Sequence, residues 1–518
     1  MSNSCATDQF GESAELLLAE MATDPLGDFS PSVYETARLV RHAPSLRGHV
    51  RRVRFLLDEQ RVDGGWGGPD GYDLVPTLSA TAALLTVARN PPAGSESAVR
   101  SAIDSGLSLL SGRLDTGEPV RLPDTVAVEI VVPGLIAEIN AHLGTGQDGA
   151  PGRLPGGSDG LLDGLRGALV RGDALPAKLA HTLEVFGDAA RRARFTEPAG
   201  GGIGCSPAAT AVWLGDAAVR AGSHPCVRYL EQVQARRDGP VPVAAPLPVF
   251  ERAWVLSTVA GAGMVARPPD DLVRGLHAEF GEAGVAGGAG LPPDADDTAT
   301  ALTALARLGS PRSPECLWAY RQPDGHFACF FDERTPSTST NAHVLQAFGT
   351  SGRPDSRYRQ AMSGIAGWLC DLQEADGSWS DKWHASPYYA TACCALALFD
   401  HGGDRASAAL HKAVGWLLGT RRPDGSWGRW AGTFEETAYA VQVLCRARGR
   451  TAVDGAAVEH AIARGYSRLL RTGGDEPHPP LWHDKDLYTP FRVVRAEGLV
   501  ARYLAARAGA PAWPSDGE

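Results

Sequence analysis

An all-α protein made of two helical barrels is the fold this sequence predicts. The expectation comes from its length, a repeated aspartate–glycine–aromatic turn, and small-residue runs with helical rather than alternating periodicity. At 518 residues the chain exceeds what one ordinary core organises, so two domains are expected. The turn recurs as Gln60-Arg-Val-Asp63-Gly64-Gly65-Trp66, Arg321-Gln-Pro-Asp324-Gly325-His326-Phe327, Gln373-Glu-Ala-Asp376-Gly377-Ser378-Trp379 and Arg421-Arg-Pro-Asp424-Gly425-Ser426-Trp427. Each copy follows an apolar helical run, and three precede a run rich in Ala, Thr and Ser, at 79–85, 391–398 and 437–444. Asp-Gly supplies a local side-chain cap and a residue free to take positive φ. The aromatic packs on neighbouring helices, while the Gln or Arg reaches carbonyls left open at a helix end. Units of this length stack as helix hairpins that bury a face only against their neighbours, with the small-residue helix as an inner ring. Taken singly, each turn reads as a staple between helices. The glycine-rich stretch 144–160 reads as a surface loop, and 281–293, ending in Pro-Pro, reads as a break. Copies of the turn lie on both sides of that break.

Composition narrows the function classes. A formal charge of -11 with no long basic run gives nucleic acid no general attraction. Apolar content of 43% with 21% charged residues is that of a globular chain. The first residues lack a basic segment followed by an apolar core, so no secretory signal is expected, and no apolar stretch approaches membrane-spanning length. Nine cysteines lie scattered, with Cys393 and Cys394 inside an apolar helical run, and read as buried reduced thiols of a cytoplasmic protein.

The chemistry is concentrated at Asp294-Ala-Asp296-Asp297, which crowds three carboxylates where an apolar helix begins. Like charges this close cannot all ionise comfortably, so at least one proton is held. Such a cluster suits delivery of a proton to a poor base. A solvated helix cap is the plainer alternative for Asp296, and Asp297 reads equally as a capping residue.

With the repeated turns and the segment Glu333-Arg334-Thr-Pro-Ser-Thr-Ser-Thr-Asn341-Ala-His343, the DxDD string resembles the class II diterpene cyclases of actinobacteria. Further matches at 29–37, 179–184, 202–213 and 485–490 extend the resemblance in order along nearly the whole chain. It implies two α-barrel domains called γ and β: residues 1–28 as a first helix belonging to β, 29–270 as an inserted γ barrel, and 271–518 as the β barrel carrying DxDD. It implies protonation-initiated cyclisation of geranylgeranyl diphosphate to a bicyclic copalyl-type diphosphate, ent-copalyl favoured, with the diphosphate retained. Rearranged or hydroxylated diphosphates from the same substrate are the alternative. The nearest string to a class I metal-binding motif, Asp270-Asp271-Leu-Val-Arg, lacks the last acid, and the length leaves no room for a class I domain. A squalene-type triterpene cyclase and a non-catalytic barrel binding module are the competing readings.

The resemblance also implies roles. Asp296 is the proton donor, Asp294 supports it, and Asn341 matches an asparagine that hydrogen-bonds the acid group. His181 falls where plant ent-copalyl diphosphate synthases carry a terminating histidine, but the partner asparagine aligns near Val243, so the pair is incomplete. Trp254 corresponds to an active-site tryptophan; Trp318, Trp383, Tyr388, Tyr389, Tyr439 and Trp482 are further aromatics whose faces would stabilise a cation without attacking it. Asp124 and Glu129 resemble a DxxxxE motif assigned to magnesium. Their five-residue spacing does not align them on one helix face, although oxygen ligands suit Mg²⁺. Lys178, Lys382 and Lys485 are the cations expected at the diphosphate. The expected partners are the prenyl diphosphate and a class I terpene synthase acting downstream; oligomeric state is left open, with a homodimer as one expectation.

Overall fold

The computed structural model describes residues 3–114, 122–144, 154–155, 160–265, 268–331, 333–352, 355–473 and 479–510. Most of the glycine-rich stretch 144–160 lies outside the described residues. Among the described residues the only strands are the antiparallel pair Trp482–His483 and Leu487–Tyr488.

Helices Val33–His42, Leu74–Val87, Val128–Leu143 and Pro207–Leu214, with the kinked 3-10 run Ala177–Arg192, contact one another in a closed ring. A second ring closes through Pro248–Gly261, Ala295–Arg307, Thr338–Thr350, Pro387–His401, Phe434–Ala447 and Phe491–Arg507. Outer helices lie against each ring, Ser356–Asp371, Ser407–Thr420 and Gly455–Arg471 among them, and the first helix, Asn3–Thr23, runs along Phe491–Arg507. The inner helices are buried nearly all round, which fits their Ala, Thr and Ser content: small side chains let adjacent helices of a ring approach.

The expected boundary at residue 270 is corrected. Helix Pro248–Gly261 packs on Ala295–Arg307 and Phe491–Arg507, and its Val255, Leu256 and Val259 share the second barrel's core. The break between barrels lies in the proline-rich segment 236–247, after the last helix of the first barrel, Pro225–Ala235. The stretch 281–293 is a loop inside the second barrel, not a boundary.

Each of the three turns that carry a tryptophan staples three elements. Trp66 Nε1 donates to Leu56 O (2.6 Å), Trp379 Nε1 to Leu369 O (2.7 Å) and Trp427 Nε1 to Leu417 O (2.7 Å), so the indole satisfies a carbonyl near the end of the preceding helix. The backbone N–H of the same tryptophan donates to a threonine Oγ1 on the following inner helix: Thr77, Thr391 and Thr437 at 2.9, 3.0 and 3.1 Å. The glutamine that opens the turn reaches elsewhere than expected. Gln373 Nε2 donates to Gly377 O within the turn and to Ala409 O on the next outer helix, as Gln60 does with Gly64 O and Ala102 O.

Candidate active site

A cavity of about 500 Å³ lies between the barrels, lined from the first by residues around 124–130 and 176–182 and from the second by Phe250, Trp254, the DxDD acids, 329–335, Lys382, Trp383 and the strand pair. Its deep wall is buried and aromatic. Phe250 sits 4.7 Å from Trp254, Trp482 presents an edge to Phe250 at 5.5 Å, and Trp254 lies edge-on to His343 at 5.4 Å. Its mouth is marked by exposed Lys178 and by Arg334, and is charged.

Asp294 is the N-cap of helix Ala295–Arg307, accepting a hydrogen bond from Asp297 N at 2.8 Å. That cap turns Asp296 and Asp297 into the cavity in the first helical turn, where all three acids line the wall. Asp296 is 7% exposed and joined to His343 by a 2.7 Å hydrogen bond between Oδ1 and Nδ1. Burial, reinforced by the charge of Asp297, raises the Asp294 carboxyl well above its ordinary range. Burial likewise raises Asp297 to about 7, the Asp296 charge adding to it and Asp294 and His343 opposing it. The cluster therefore holds protons that isolated aspartates would have lost.

Opposite, the hairpin turn between the two strands inserts into the first barrel. His181 Nε2 lies 2.9 Å from Asp484 Oδ1, and His181 Nδ1 lies 2.6 Å from Gly204 O. Burial pushes the imidazole down, but the Asp484 carboxylate outweighs it and the net shift is upward. For Asp484, burial acts upward and the charges of His181 and Lys485 prevail, so the carboxyl is lowered.

At the mouth, Asp124 and Glu129 both face the Arg334 guanidinium, the first in direct contact and the second at 3.8 Å. Asp124 precedes helix Val128–Leu143 and Glu129 lies in its first turn, so a turn through Ala127, at φ 54°, brings together two acids that a continuous helix would separate. Lys382 Nζ donates to Glu333 Oε2 at 2.6 Å and sits 5.0 Å over the Trp383 ring. Trp383 Nε1 is buried with no hydrogen-bond partner among the described residues.

Residues 323–465 match the squalene-hopene cyclase C-terminal domain. Over 491 residues the chain is 49% identical to the ent-copalyl diphosphate synthase of Streptomyces sp. (strain KO-3988), covering 94% of this chain and 94% of that one. The chain belongs to the bacterial class II diterpene cyclases. The cyclase is also 43% identical to the labda-7,13-dienyl diphosphate synthase of Streptomyces clavuligerus, over 96% of this chain and 93% of that one. Its fold superposes on ent-copalyl diphosphate synthase from Streptomyces platensis with a TM-score of 0.88 at 46% identity, covering 96% of this chain and 99% of that one. The plant enzyme abietadiene synthase from Abies grandis shares the fold at a TM-score of 0.60 and 19% identity, over 97% of this chain and 58% of that one.

Within the cyclase the sequence-predicted residues divide. Asp294, Asp296, Asp297, His181, Trp254, Lys178, Lys382, Trp383, Trp482, Asp124 and Glu129 line one cavity. Capping falls to Asp294 rather than Asp297. Asn341 does not reach the acids: its amide joins Phe327 N and O at 2.8 and 2.9 Å and Ser337 O at 2.8 Å. It occupies in the Asp324 turn the stapling position held elsewhere by Thr77, Thr391 and Thr437. His343, two residues on and about 200° around the helix, is the partner of Asp296 instead. Lys485 cannot serve a diphosphate, because it is sealed in the barrel interface, in direct contact with Glu35 and 3.0 Å from Glu184. Tyr388 is core, its ring 4.6 Å from that of Trp416, and Trp318 stacks on Phe348 at 5.1 Å. Tyr389 stacks on His384 and Tyr439 donates to Glu435 Oε1, both outside the cavity lining. Phe250 and Asp484 carry no signal of their own in the sequence. Phe250 sits four residues before Trp254, a spacing that places both on the same helix face.

Proposed function

We propose that this cyclase converts geranylgeranyl diphosphate to a bicyclic copalyl-type diphosphate, most closely the ent series, with Asp296 as proton donor. The observation that carries this reading is the buried carboxyl cluster facing an aromatic cavity, with His343 bound to one oxygen of its middle acid. An alkene is a very weak base, so the acid must stay protonated until substrate arrives and lose its proton readily then. On the first count, the cluster around it is proton-rich, Asp294 and Asp297 both being raised by burial and by neighbouring carboxylate charge. The second is met if His343 Nδ1–H donates to Oδ1, leaving the proton on Oδ2 and stabilising the carboxylate that forms. The developing cation lies against Trp254, Phe250 and Trp482, which attract positive charge and exclude water. Two relatives named as ent-copalyl diphosphate synthases favour that series; the labda-7,13-dienyl relative marks the rearranged alternative.

The diphosphate sits at the charged mouth, near Lys178, Lys382 and Arg334, with Trp383 Nε1 as an available donor. Asp124 and Glu129 fit Mg²⁺: they are hard oxygen donors at a wet rim, beside a guanidinium that a metal-bound diphosphate would engage. Mg²⁺ there would neutralise phosphate charge. The reaction takes place in the cytoplasm, in keeping with eight described cysteines that are all free, and the product passes to a class I terpene synthase.

The test is incubation with geranylgeranyl diphosphate and Mg²⁺, dephosphorylation, and mass spectrometry of the resulting alcohol. A bicyclic C20 alcohol supports the reading, and recovery of geranylgeraniol alone contradicts it. Asp124→Ala and Glu129→Ala should raise the Mg²⁺ concentration needed for half-maximal rate by about tenfold; an unchanged requirement removes the metal assignment.

A further inference from the structure

Cyclisation begins by adding one proton and ends by removing another, and the cavity holds a second carboxylate placed for that last step. Asp484 sits in the turn of the hairpin, its backbone fixed by Val126 N donating to Asp484 O at 3.1 Å and by its own N–H donating to Asp486 O at 3.0 Å. Its Oδ1 accepts Lys485 N at 2.6 Å and faces His181 Nε2 at 2.9 Å. Among the described residues no donor reaches Oδ2, and the side chain keeps 15% of its surface, on the cavity wall.

The two hydrogen bonds of His181 fix its protonation. Gly204 O only accepts, so Nδ1 carries a hydrogen. Asp484, held ionised by His181 and Lys485, also accepts through Oδ1, so a 2.9 Å contact with Nε2 needs a hydrogen there too. An imidazole with hydrogens on both nitrogens has no lone pair with which to take another. Histidine at this place is the cation of an ion pair, and the base is its partner.

We propose that the Asp484 carboxylate, rather than His181, removes the proton that ends cyclisation. This rests on the cavity being the site where Asp296 starts the reaction. The C–H bond on a carbon next to the cationic centre breaks, its electron pair becomes the new C=C bond, and the hydrogen forms O–H on Asp484 Oδ2. One proton enters from Asp296 and one leaves to Asp484, so substrate and product are isomers; both carboxyls then re-equilibrate with solvent. A carboxylate held low by an imidazolium is a weak base, but a C–H beside a tertiary carbocation is far more acidic than any carboxylic acid. Position and ionisation decide, not basicity. The lowered Asp484 carboxyl and raised His181 imidazole agree with that state. Burial and the charges of Asp484 and Asp297 raise the buried Tyr488 phenol, whose ring lines the same cavity as both acids. The remaining carboxylates outside the acid cluster, Asp124, Glu129 and Glu333, are paired with Arg334 or Lys382 at the charged mouth.

The test is the ratio of products, which loss of stability does not alter. The wild-type enzyme must first convert geranylgeranyl diphosphate to a bicyclic diphosphate; failure there sinks the reading of the cavity, not the choice of base. Asp484→Asn should still consume substrate but shift the products, lowering the copalyl-type alkene at least about tenfold against hydroxylated or isomeric diphosphates. His181→Gln, which keeps the carboxylate, should slow turnover while the copalyl-type alkene remains the major product. An unchanged ratio in Asp484→Asn, a complete halt to substrate consumption in that variant when folded, or a product switch in His181→Gln alone would each overturn the proposal.

Discussion

A 2.7 Å hydrogen bond joins His343 to Asp296, the acid proposed as proton donor, and would steady the carboxylate left once that proton is given up. Asp296→Asn, which keeps the shape and removes the acid, should lower substrate consumption by at least about a thousandfold with an unchanged circular dichroism spectrum. Retained turnover would move the donor elsewhere. The cluster also sets a pH dependence. Asp297 is neutral in the folded cavity from its ordinary range up to about 7, and burial raises the Asp294 carboxyl as well. Folding is therefore opposed by these groups as pH rises through that window, and the proton-rich state is lost above it. A profile of kcat from about pH 6 to about pH 9 should fall on its alkaline side near 7, and Asp297→Asn should displace that limb. A profile flat across the range in both enzymes would contradict the assignment. The three aspartates were legible because their crowding has a direct chemical meaning. His343 was not, because its neighbour Asn341 carries the same hydrogen-bonding promise, and only the helix phase decides which of the two faces the acid.

At the scale of the element, the repeated turn shows how far a local pattern reaches. Asp-Gly announces a turn, and the glycines adopt the positive φ it requires, 101° at Gly377 and 100° at Gly325. How tightly each turn is packed depends instead on its neighbours. A Cβ on Gly377 would stand 2.6 Å from Lys412 O, whereas one on Gly325 meets nothing within 4 Å. Alanine at either position carries the left-handed penalty of about 1–2 kcal/mol, and Gly377→Ala should lose about 1–3 kcal/mol more through overpacking. Urea denaturation of the two variants measures the difference, and equal losses would show that the close approach relaxes freely. The pattern also misled once. The run 281–293 has the glycine and proline content of a linker, yet it joins helix Asp270–Ala278, which packs on Pro248–Gly261, to the ring helix Ala295–Arg307 of the same barrel. Ring membership depends on contacts hundreds of residues apart, which no local signal records.

Across the whole molecule, the segment 482–488 fastens the two barrels and shapes the cavity between them. Asp484 meets His181, Lys485 meets Glu35 and Glu184, and Asp486 accepts from Ser32 Oγ and Tyr34 N at 2.9 and 3.0 Å. Lys485 in particular is fully enclosed, so removing its charge leaves two buried carboxylates unbalanced. Lys485→Met should destabilise the protein by about 3–5 kcal/mol, read as a lower denaturation midpoint, and a loss under about 1 kcal/mol would show that water or protonation compensates. The charge on this lysine suggested a phosphate ligand in the sequence; its burial, which only the assembled interface reveals, assigns it to structure. In the assembled cavity, a carboxylic acid is proposed to protonate the hydrocarbon end of a prenyl diphosphate whose head group stays attached. The most direct measurement is the mass spectrum of the intact product formed from geranylgeranyl diphosphate in D₂O. The expected result is a cyclic C20 diphosphate, isomeric with the substrate, carrying one deuterium. An undeuterated product, or a hydrocarbon accompanied by inorganic pyrophosphate, would contradict it.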